Sequence, residues 1–228
     1  MIDLDTSLGD LVLADPRRAR VLEGLGLDYC CHGQRSLADA AAEAGLDAPG
    51  VAQRLDLPAP DAAPEWQSLT EAELADHIVA VHHAYLWDEL EPLRALVDKV
   101  ATVHGERHPE LAGVKADYDA LADDLSQHLL KEERILFPAI RAAAEGQGFG
   151  PGVAGPIQVM MMEHDAAGEI LVRLRAATDG YTTPADGCAS YHSMMDRLQI
   201  MEADLHLHIH KENNVLFPRT LAAAGVTV

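Results

Sequence analysis

Alanine and leucine supply most of the hydrophobic positions along this chain, and runs of alternating β-branched residues are nearly absent. Such runs would indicate strands, whereas the observed pattern is typical of helical bundles. From residue 70 onward the helical segments are long and their connections are short. Their expected ranges are about 70–103, 109–144, 157–177 and 184–224. The pattern predicts an all-α protein that contains an antiparallel four-helix bundle.

A small helical domain is predicted over residues 1–56, in front of a bundle that takes residues 69–228. Capping residues and helix-ending glycines indicate three short helices in it, over Leu8–Ala14, from Asp15 to about Gly24, and over Leu37–Ala44. Residues 57–68 are rich in proline and alanine and predict a linker. Pro92 is expected to bend the first long helix, and Pro138 and Pro218 are expected to bend or break the second and the fourth.

The net charge and the cysteines indicate which partners and which cellular compartment the protein is expected to have. A formal net charge of −20 disfavours nucleic acid and anionic membranes as partners, because both are normally met by a basic surface. No apolar stretch approaches the roughly 20 residues that span a bilayer, and the first residues do not resemble a secretory signal. Two of the three cysteines, Cys30 and Cys31, are adjacent and could close only a strained ring. We therefore expect a cytoplasmic, reduced protein.

One segment of the chain occurs twice, at an offset of 80 residues. His128, Glu132 and Phe137-Pro138 recur as His208, Glu212 and Phe217-Pro218. Residues four positions apart on a helix project from one face, about 6 Å apart along the axis. Each copy therefore directs an imidazole and a carboxylate at one volume. A purely structural repeat needs only the apolar part, so the recurrence of both polar residues predicts a duplicated half-site for metal.

Two further histidines precede these copies at matching distances. His83 lies 45 residues before His128, and His164 lies 44 residues before His208. The repeat is therefore a helical hairpin, and two such hairpins predict a bundle with a pseudo-two-fold axis. The predicted metal ligands are His83, His128, Glu132, His164, His208 and Glu212.

Four imidazoles and two carboxylates suit two first-row metal ions in a bundle core. Mixed nitrogen and oxygen ligation favours iron over manganese or zinc. If both glutamates bridge, an oxo or hydroxo bridge fits between the ions. About one position per iron then stays open for NO, O2 or peroxide.

Other polar residues receive less specific predictions. Glu163 and Asp124 are candidates to orient ligating imidazoles or to carry protons. His206 and His210 are expected to be exposed, since each lies two positions from His208. Surface positions are also expected for His104, His108 and His192. Cys188 is predicted to be an ordinary small apolar residue.

The chain closely resembles the repair-of-iron-centres family, in which a hemerythrin-like di-iron bundle follows a short domain with adjacent cysteines. Two stretches carry the resemblance: residues 27–38 around Cys30-Cys31, and the two repeat copies with Glu163-His164-Asp165 between them. The resemblance implies an oxo- or hydroxo-bridged centre of two non-haem iron ions on the same six ligands. It also implies repair of iron–sulfur clusters damaged by oxidative or nitrosative stress, with iron–sulfur proteins as clients.

One position departs from the family, because His32 stands where a glycine usually follows the cysteine pair. Thiol redox chemistry at Cys30 and Cys31 is therefore a weaker prediction than the iron site, and His32 could instead add a ligand or a base. The resemblance leaves open whether repair proceeds by iron delivery or by NO and reactive-oxygen chemistry, and so whether the protein is an enzyme.

An alternative function is a hemerythrin-like module that binds or senses O2 or NO and signals through the N-terminal cysteines. Simple O2 carriage is disfavoured, because oxygen-carrying hemerythrins are expected to have five histidine ligands rather than four. A metal-free helical scaffold is the third and least favoured alternative. A homodimer is compatible with the sequence.

Overall fold

The computed structural model describes residues 2–58, 64–147 and 152–226, so parts of the predicted linker (59–63) and of the glycine-rich segment (148–151) lie outside the described residues. The described residues form helices and no strand, apart from an isolated bridge between Ser7 and Ser36. This confirms the all-α prediction. The α-helices are α1 Leu8–Ala14, α2 Arg18–Glu23, α3 Leu37–Glu43, α4 Ala48–Leu55, α5 Glu71–Ile78, α6 Ala84–His104, α7 Leu111–Lys131, α8 Phe137–Ala142, α9 Ala154–Ala177, α10 Ala189–Lys211 and α11 Phe217–Ala223. A 3-10 helix covers Glu65–Ser68.

The described residues contain four π-helical turns: π1 Val79–His83, π2 Glu132–Leu136, π3 Ala143–Gln147 and π4 Glu212–Leu216. Of these, π1, π2 and π4 each lie directly between two α-helices. In π2 and π4 the backbone N–H of Phe137 or Phe217 donates to the carbonyl five residues earlier, on Glu132 or Glu212. The next residue is the proline of each repeat copy, which is the second residue of α8 or α11. Proline cannot donate and clashes with the preceding turn. The predicted interruptions are thus real, and they take the form of π-turns that begin at the two repeated glutamates.

Contacts divide the chain into two units, residues Ile78–Leu205 and residues Met1–His77 together with His206–Val228. The two domains predicted from the sequence, residues 1–56 and 69–228, are each continuous along the chain, and their boundaries stay a prediction.

The unit of residues 78–205 contains α6, α7, α9 and α10 up to Leu205, and these helices form the bundle. Its core is built from leucine, valine and methionine side chains with Tyr118, Tyr181 and Tyr191. Buried Tyr118 donates its hydroxyl to the carbonyl of Leu90 at 2.8 Å, which satisfies its polar end inside the core. Helix α6 continues through Pro92.

The other unit contains α1–α5 and the C-terminal segment from His206 onward. Ser7 and Ser36 cap α1 and α3 as predicted, by accepting from Asp10 N and Asp39 N. Helix α4 was not predicted, although Asp47 caps it and a proline occupies its first turn. The core of this unit includes Leu8, Leu22, Tyr29, Cys30 and Leu37, and Ile209 of the C-terminal segment packs into it.

Candidate metal centre

Four of the six predicted ligands lie in the unit of residues 78–205, and their side chains converge. The Nε2 atoms of His83 and His128 each lie 3.3 Å from Oε2 of Glu132. Nε2 of His164 lies 3.1 Å from Nε2 of His128. All four side chains are buried, and Glu132 has no solvent exposure. The π-turns π1 and π2 and the helices α7 and α9 therefore bring three ring nitrogens and a carboxylate to one buried point.

These separations fit a metal ion. Bonds of about 2.1 Å at right angles place neighbouring ligand atoms about 3 Å apart. The ligand atoms of His128, Glu132 and His164 all lie within 4.8 Å of one another. A buried carboxylate beside several imidazoles also costs several kcal/mol unless coordination or hydrogen bonds compensate it. The donor set therefore suits a first-row ion.

The ring nitrogens on the far side of these histidines contact carboxylates. Nδ1 of His83 lies 3.0 Å from Glu133 Oε1, which also accepts from Trp87 Nε1 at 2.8 Å. Nδ1 of His128 lies 2.9 Å from Glu163 Oε2. A carboxylate on Nδ1 fixes the ring so that Nε2 faces the metal. Glu133 was missed in the sequence, although it directly follows a ligand.

Glu163 is itself held in place by Lys131, whose Nζ donates to Oε1. Partial burial acts to raise the pKa of the Glu163 carboxyl, but the hydrogen bonds with Lys131 and His128 outweigh it and lower that pKa below its usual value. An ionised Glu163 is therefore available beside His128. Its predicted role in orienting that ligand stays a prediction, with a geometry that suits it.

The remaining two predicted ligands lie in the unit of residues 1–77 and 206–228. His208 lies in the last turn of α10, and Glu212 is the first residue of π4. Nε2 of His208 lies 3.1 Å from Glu212 Oε1, and both side chains are buried, at 1 % and 0 % exposure. The pair repeats the contact of His128 with Glu132, as the repeat predicts.

Asp124 lies one turn before His128, but its side chain is exposed. An exposed side chain at this position gives no support to the predicted orienting role, which stays a prediction.

Several histidines expected at the surface are buried. His210 has no exposure, and its ring packs edge-on against Tyr29 and Trp66, with centroids 5.6 and 6.2 Å away. Burial lowers the pKa of His210 to about 4. His104 is buried with Nε2 3.2 Å from Sγ of Cys188, and that cysteine is exposed. These faces were misjudged because the sequence does not reveal what packs on the outer side of a helix.

Three other histidines complete the set. His206 and His108 are half-buried, with side chains 19 % and 16 % exposed. His192 is exposed, as expected. The expected surface position is thus clear for His192 alone of these three.

The cysteine pair lies in a loop that follows α2. Asp28 Oδ1 accepts from the backbone N–H of Cys30 at 3.0 Å and of Cys31 at 2.9 Å. The two sulfurs lie 3.7 Å apart and form no disulfide. Their mutual hydrogen bond and burial raise the pKa of the Cys30 thiol. His32 approaches the carboxylate of Asp28 through Nδ1, at 2.7 Å.

The glycine after His32 is required by close packing. A Cβ on Gly33 would lie 2.4 Å from the carbonyl oxygen of Tyr29 and 2.7 Å from Oδ1 of Asn214. His32 itself is exposed and has no left-handed backbone, so a side chain fits there. The loop therefore tolerates this departure from the family.

Comparison with known proteins agrees with this geometry. Residues 74–220 match the hemerythrin HHE cation binding domain, and residues 4–58 match a domain of unknown function, DUF542. The iron-sulfur cluster repair protein YtfE of Escherichia coli O157:H7 is 38% identical over 96% of this chain and 97% of its own length. The chain belongs to the repair-of-iron-centres family. The proteins of the same name from Citrobacter koseri and Enterobacter sp. strain 638 are 37% identical over the same shares.

Membership of the repair-of-iron-centres family implies iron binding by the HHE domain, and the histidine–glutamate clusters described above could hold it. All six predicted ligands fall within residues 74–220. None of the helices within the described residues is long and apolar enough to cross a membrane.

Proposed function

We propose that this protein repairs iron–sulfur clusters and that it does so with a di-iron centre. The observation that carries the proposal is the convergence of His83, His128 and His164 on buried Glu132. The relatives that align over 96% of the chain are named iron–sulfur cluster repair proteins, so the substrates are iron–sulfur client proteins. The proposal keeps the reducing, cytoplasmic location that the sequence predicts.

The second half of the centre is supplied by His208 and Glu212. The repeat supports this proposal, because Glu132 and Glu212 each follow a histidine by four residues. Each glutamate also begins a π-turn and is completely buried. The HHE domain match also includes both halves. Iron bound by these ligands would supply redox-active ions with open positions for NO, O2 or peroxide.

The protein's own residues prepare that site in two ways. Glu133 and Glu163 hold the imidazoles of His83 and His128 with Nε2 directed inward. The ring of Phe137 stacks on His83 with centroids 5.6 Å apart and helps to exclude water on that side. The ligands are thus oriented before any ion binds.

The test is recovery of a client. A purified iron–sulfur enzyme inactivated by NO is incubated with iron-loaded protein, with iron-stripped protein, and with a loaded His128→Ala variant. We expect recovery with the loaded protein and little with the other two. Equal recovery with loaded and stripped protein would exclude iron delivery and direct reaction at the centre alike.

A signalling function has one observation in its favour. Asn213 and Asn214 directly follow the ligand Glu212, and their side-chain amides donate to the carbonyl of Cys30 at 3.3 and 3.1 Å. A change at Glu212 could therefore reach the cysteine loop. Stopped-flow spectroscopy separates the two functions, because a sensor binds NO reversibly and leaves a damaged client unrepaired.

A further inference from the structure

The cysteine loop brings together three potential metal ligands, none of which is among the six ligands of the proposed iron centre. One oxygen of Asp28 and the sulfurs of Cys30 and Cys31 lie within 4.8 Å of one another. The sulfurs are 3.7 Å apart, and Sγ of Cys30 lies 3.3 Å from Asp28 Oδ1. All three residues belong to one four-residue stretch, so the cluster does not depend on distant packing.

These distances match a tetrahedral ion. With metal–sulfur bonds of about 2.3 Å, two thiolates on one tetrahedral ion lie about 3.8 Å apart. With a metal–oxygen bond of about 2.1 Å, a thiolate and a carboxylate oxygen lie about 3.6 Å apart. The observed sulfur separation already agrees with the first value, and the sulfur–oxygen distance needs about 0.3 Å of movement.

The backbone holds this arrangement firmly. Asp28 Oδ1 accepts from two backbone N–H groups, and the carbonyl of Cys30 accepts from Asn213 and Asn214. Gly33 lets the chain pass close to Tyr29, where any Cβ would clash. A ligand set fixed in this way loses little entropy when an ion binds.

The cluster also has an accessible side. The side chain of Asp28 is 34 % exposed and that of His32 is 59 % exposed. Nδ1 of His32 lies 2.7 Å from Asp28 Oδ2, the oxygen that makes none of the backbone contacts. An imidazole on a ligating carboxylate orients it and tunes its affinity.

We propose that Asp28, Cys30 and Cys31 form a second metal site, which takes a thiophilic divalent cation such as Zn²⁺ or Fe²⁺. His32 positions the Asp28 carboxylate and leaves a fourth position for water or an incoming ligand. Two thiol protons pass to solvent as two metal–sulfur bonds form, so no oxidant or reductant is needed.

The test uses Co²⁺ as the probe, added to the full-length protein in a thiol-free reductant. Thiolate ligation gives a strong sulfur-to-cobalt charge-transfer band in the near ultraviolet, whereas histidine and carboxylate ligands in the bundle give none. We expect that band to grow to one equivalent of Co²⁺. X-ray absorption of the zinc form should show a shell of sulfur neighbours at about 2.3 Å.

Variants identify the ligands. Cys31→Ser should at least halve the band, because one of the two thiolates is lost. Asp28→Asn and His32→Gly should weaken Co²⁺ binding, the latter by about 10- to 100-fold. Cys188→Ser is the matched control, because that exposed cysteine also has a histidine neighbour; it should leave the band unchanged. Absence of the band in the unsubstituted protein, or its survival at full intensity in Cys31→Ser, overturns the proposal.

The two metal sites can fail independently. Iron in the bundle is measured in the same samples, and it should be equal in Cys31→Ser and in the unsubstituted protein. A missing cobalt band with normal iron content contradicts the loop site alone. Missing iron with a normal cobalt band contradicts the bundle centre alone.

Discussion

Lys131 and Lys211 hold the same position in the two copies of the repeated segment, but their surroundings differ. The side chain of Lys131 is 43 % exposed and pairs with Glu163. Lys211 is buried at 6 % exposure, with Nζ 3.1 Å from His77 Nε2 and 5.5 Å from the centroid of the Trp66 ring. Lys131 therefore pairs with a carboxylate that contacts the predicted ligand His128. Lys211 instead packs against His77 and Trp66, which belong to its own unit.

The positions after the glutamate diverge in the same way. In the first copy Glu133 contacts His83, whereas Arg134 is exposed. In the second copy Asn213 and Asn214 hold the carbonyl of Cys30. Both copies have thus kept the predicted ligands, while the residues that follow contact a histidine in the first copy and the carbonyl of Cys30 in the second.

The largest expected effect comes from the ligands that the copies share. Glu132→Gln and Glu212→Gln should each lower iron affinity by more than about 100-fold, beyond the effect of an outer partner, because each carboxylate serves both ions in the proposed centre. Iron content per chain and the electronic spectrum are the measurements. Glu169→Gln, at an exposed position of α9, is the control for the change of charge.

The outcome decides whether the copies are equivalent. If Glu212→Gln keeps two irons and an unchanged spectrum, the second copy does not contribute to the centre. The bridging assignment would then be wrong for that carboxylate.

The six ligands stay a prediction, but the histidine–glutamate contact within each copy could be predicted because it follows from local geometry. His128 and Glu132 lie four residues apart on a helix, and the repeat identifies His208 and Glu212 without any knowledge of packing. Pro138 and Pro218 predicted that each helix would be interrupted. The sequence did not show that the interruption would be a π-turn that begins at the glutamate.

Partners from distant segments could not be predicted. His210 was assigned to solvent, since nothing in its own helix reveals that Tyr29 and Trp66 cover it. Helix α4 was missed despite the capping residue Asp47. Burial on the outer face of a helix depends on which segment packs there, and a single sequence does not contain that information.

The next effect concerns the carboxylate that only the first copy uses. Glu163→Gln should weaken metal binding by about 10- to 100-fold, because a neutral amide orients the His128 ring less firmly. Chelator competition measures the affinity. Glu163→Asp should recover part of the loss if the carboxylate acts through the ring, and urea unfolding of the metal-free protein should change little.

A smaller effect is expected where the second copy anchors the loop. Asn214→Ala removes the donor to the carbonyls of Cys30 and Tyr29 and should destabilise the protein by about 1–2 kcal/mol. Arg134→Ala, the same position in the first copy, should stay within about 0.5 kcal/mol. Equal losses in urea unfolding would contradict the division of roles, and faster hydrogen exchange of the loop amides in Asn214→Ala would support it.

The smallest effect separates the two lysines. Lys131→Ala should cost less than about 0.5 kcal/mol of folding stability, because an exposed ion pair contributes little. Lys211→Ala should cost about 1 kcal/mol, since it loses a buried stem and a cation–π contact with Trp66. Lys211→Met keeps the stem and should recover part of that cost. If thermal unfolding shows the two alanine variants to be equal, burial of Lys211 is not what distinguishes the copies, and the difference between them lies in the asparagines alone.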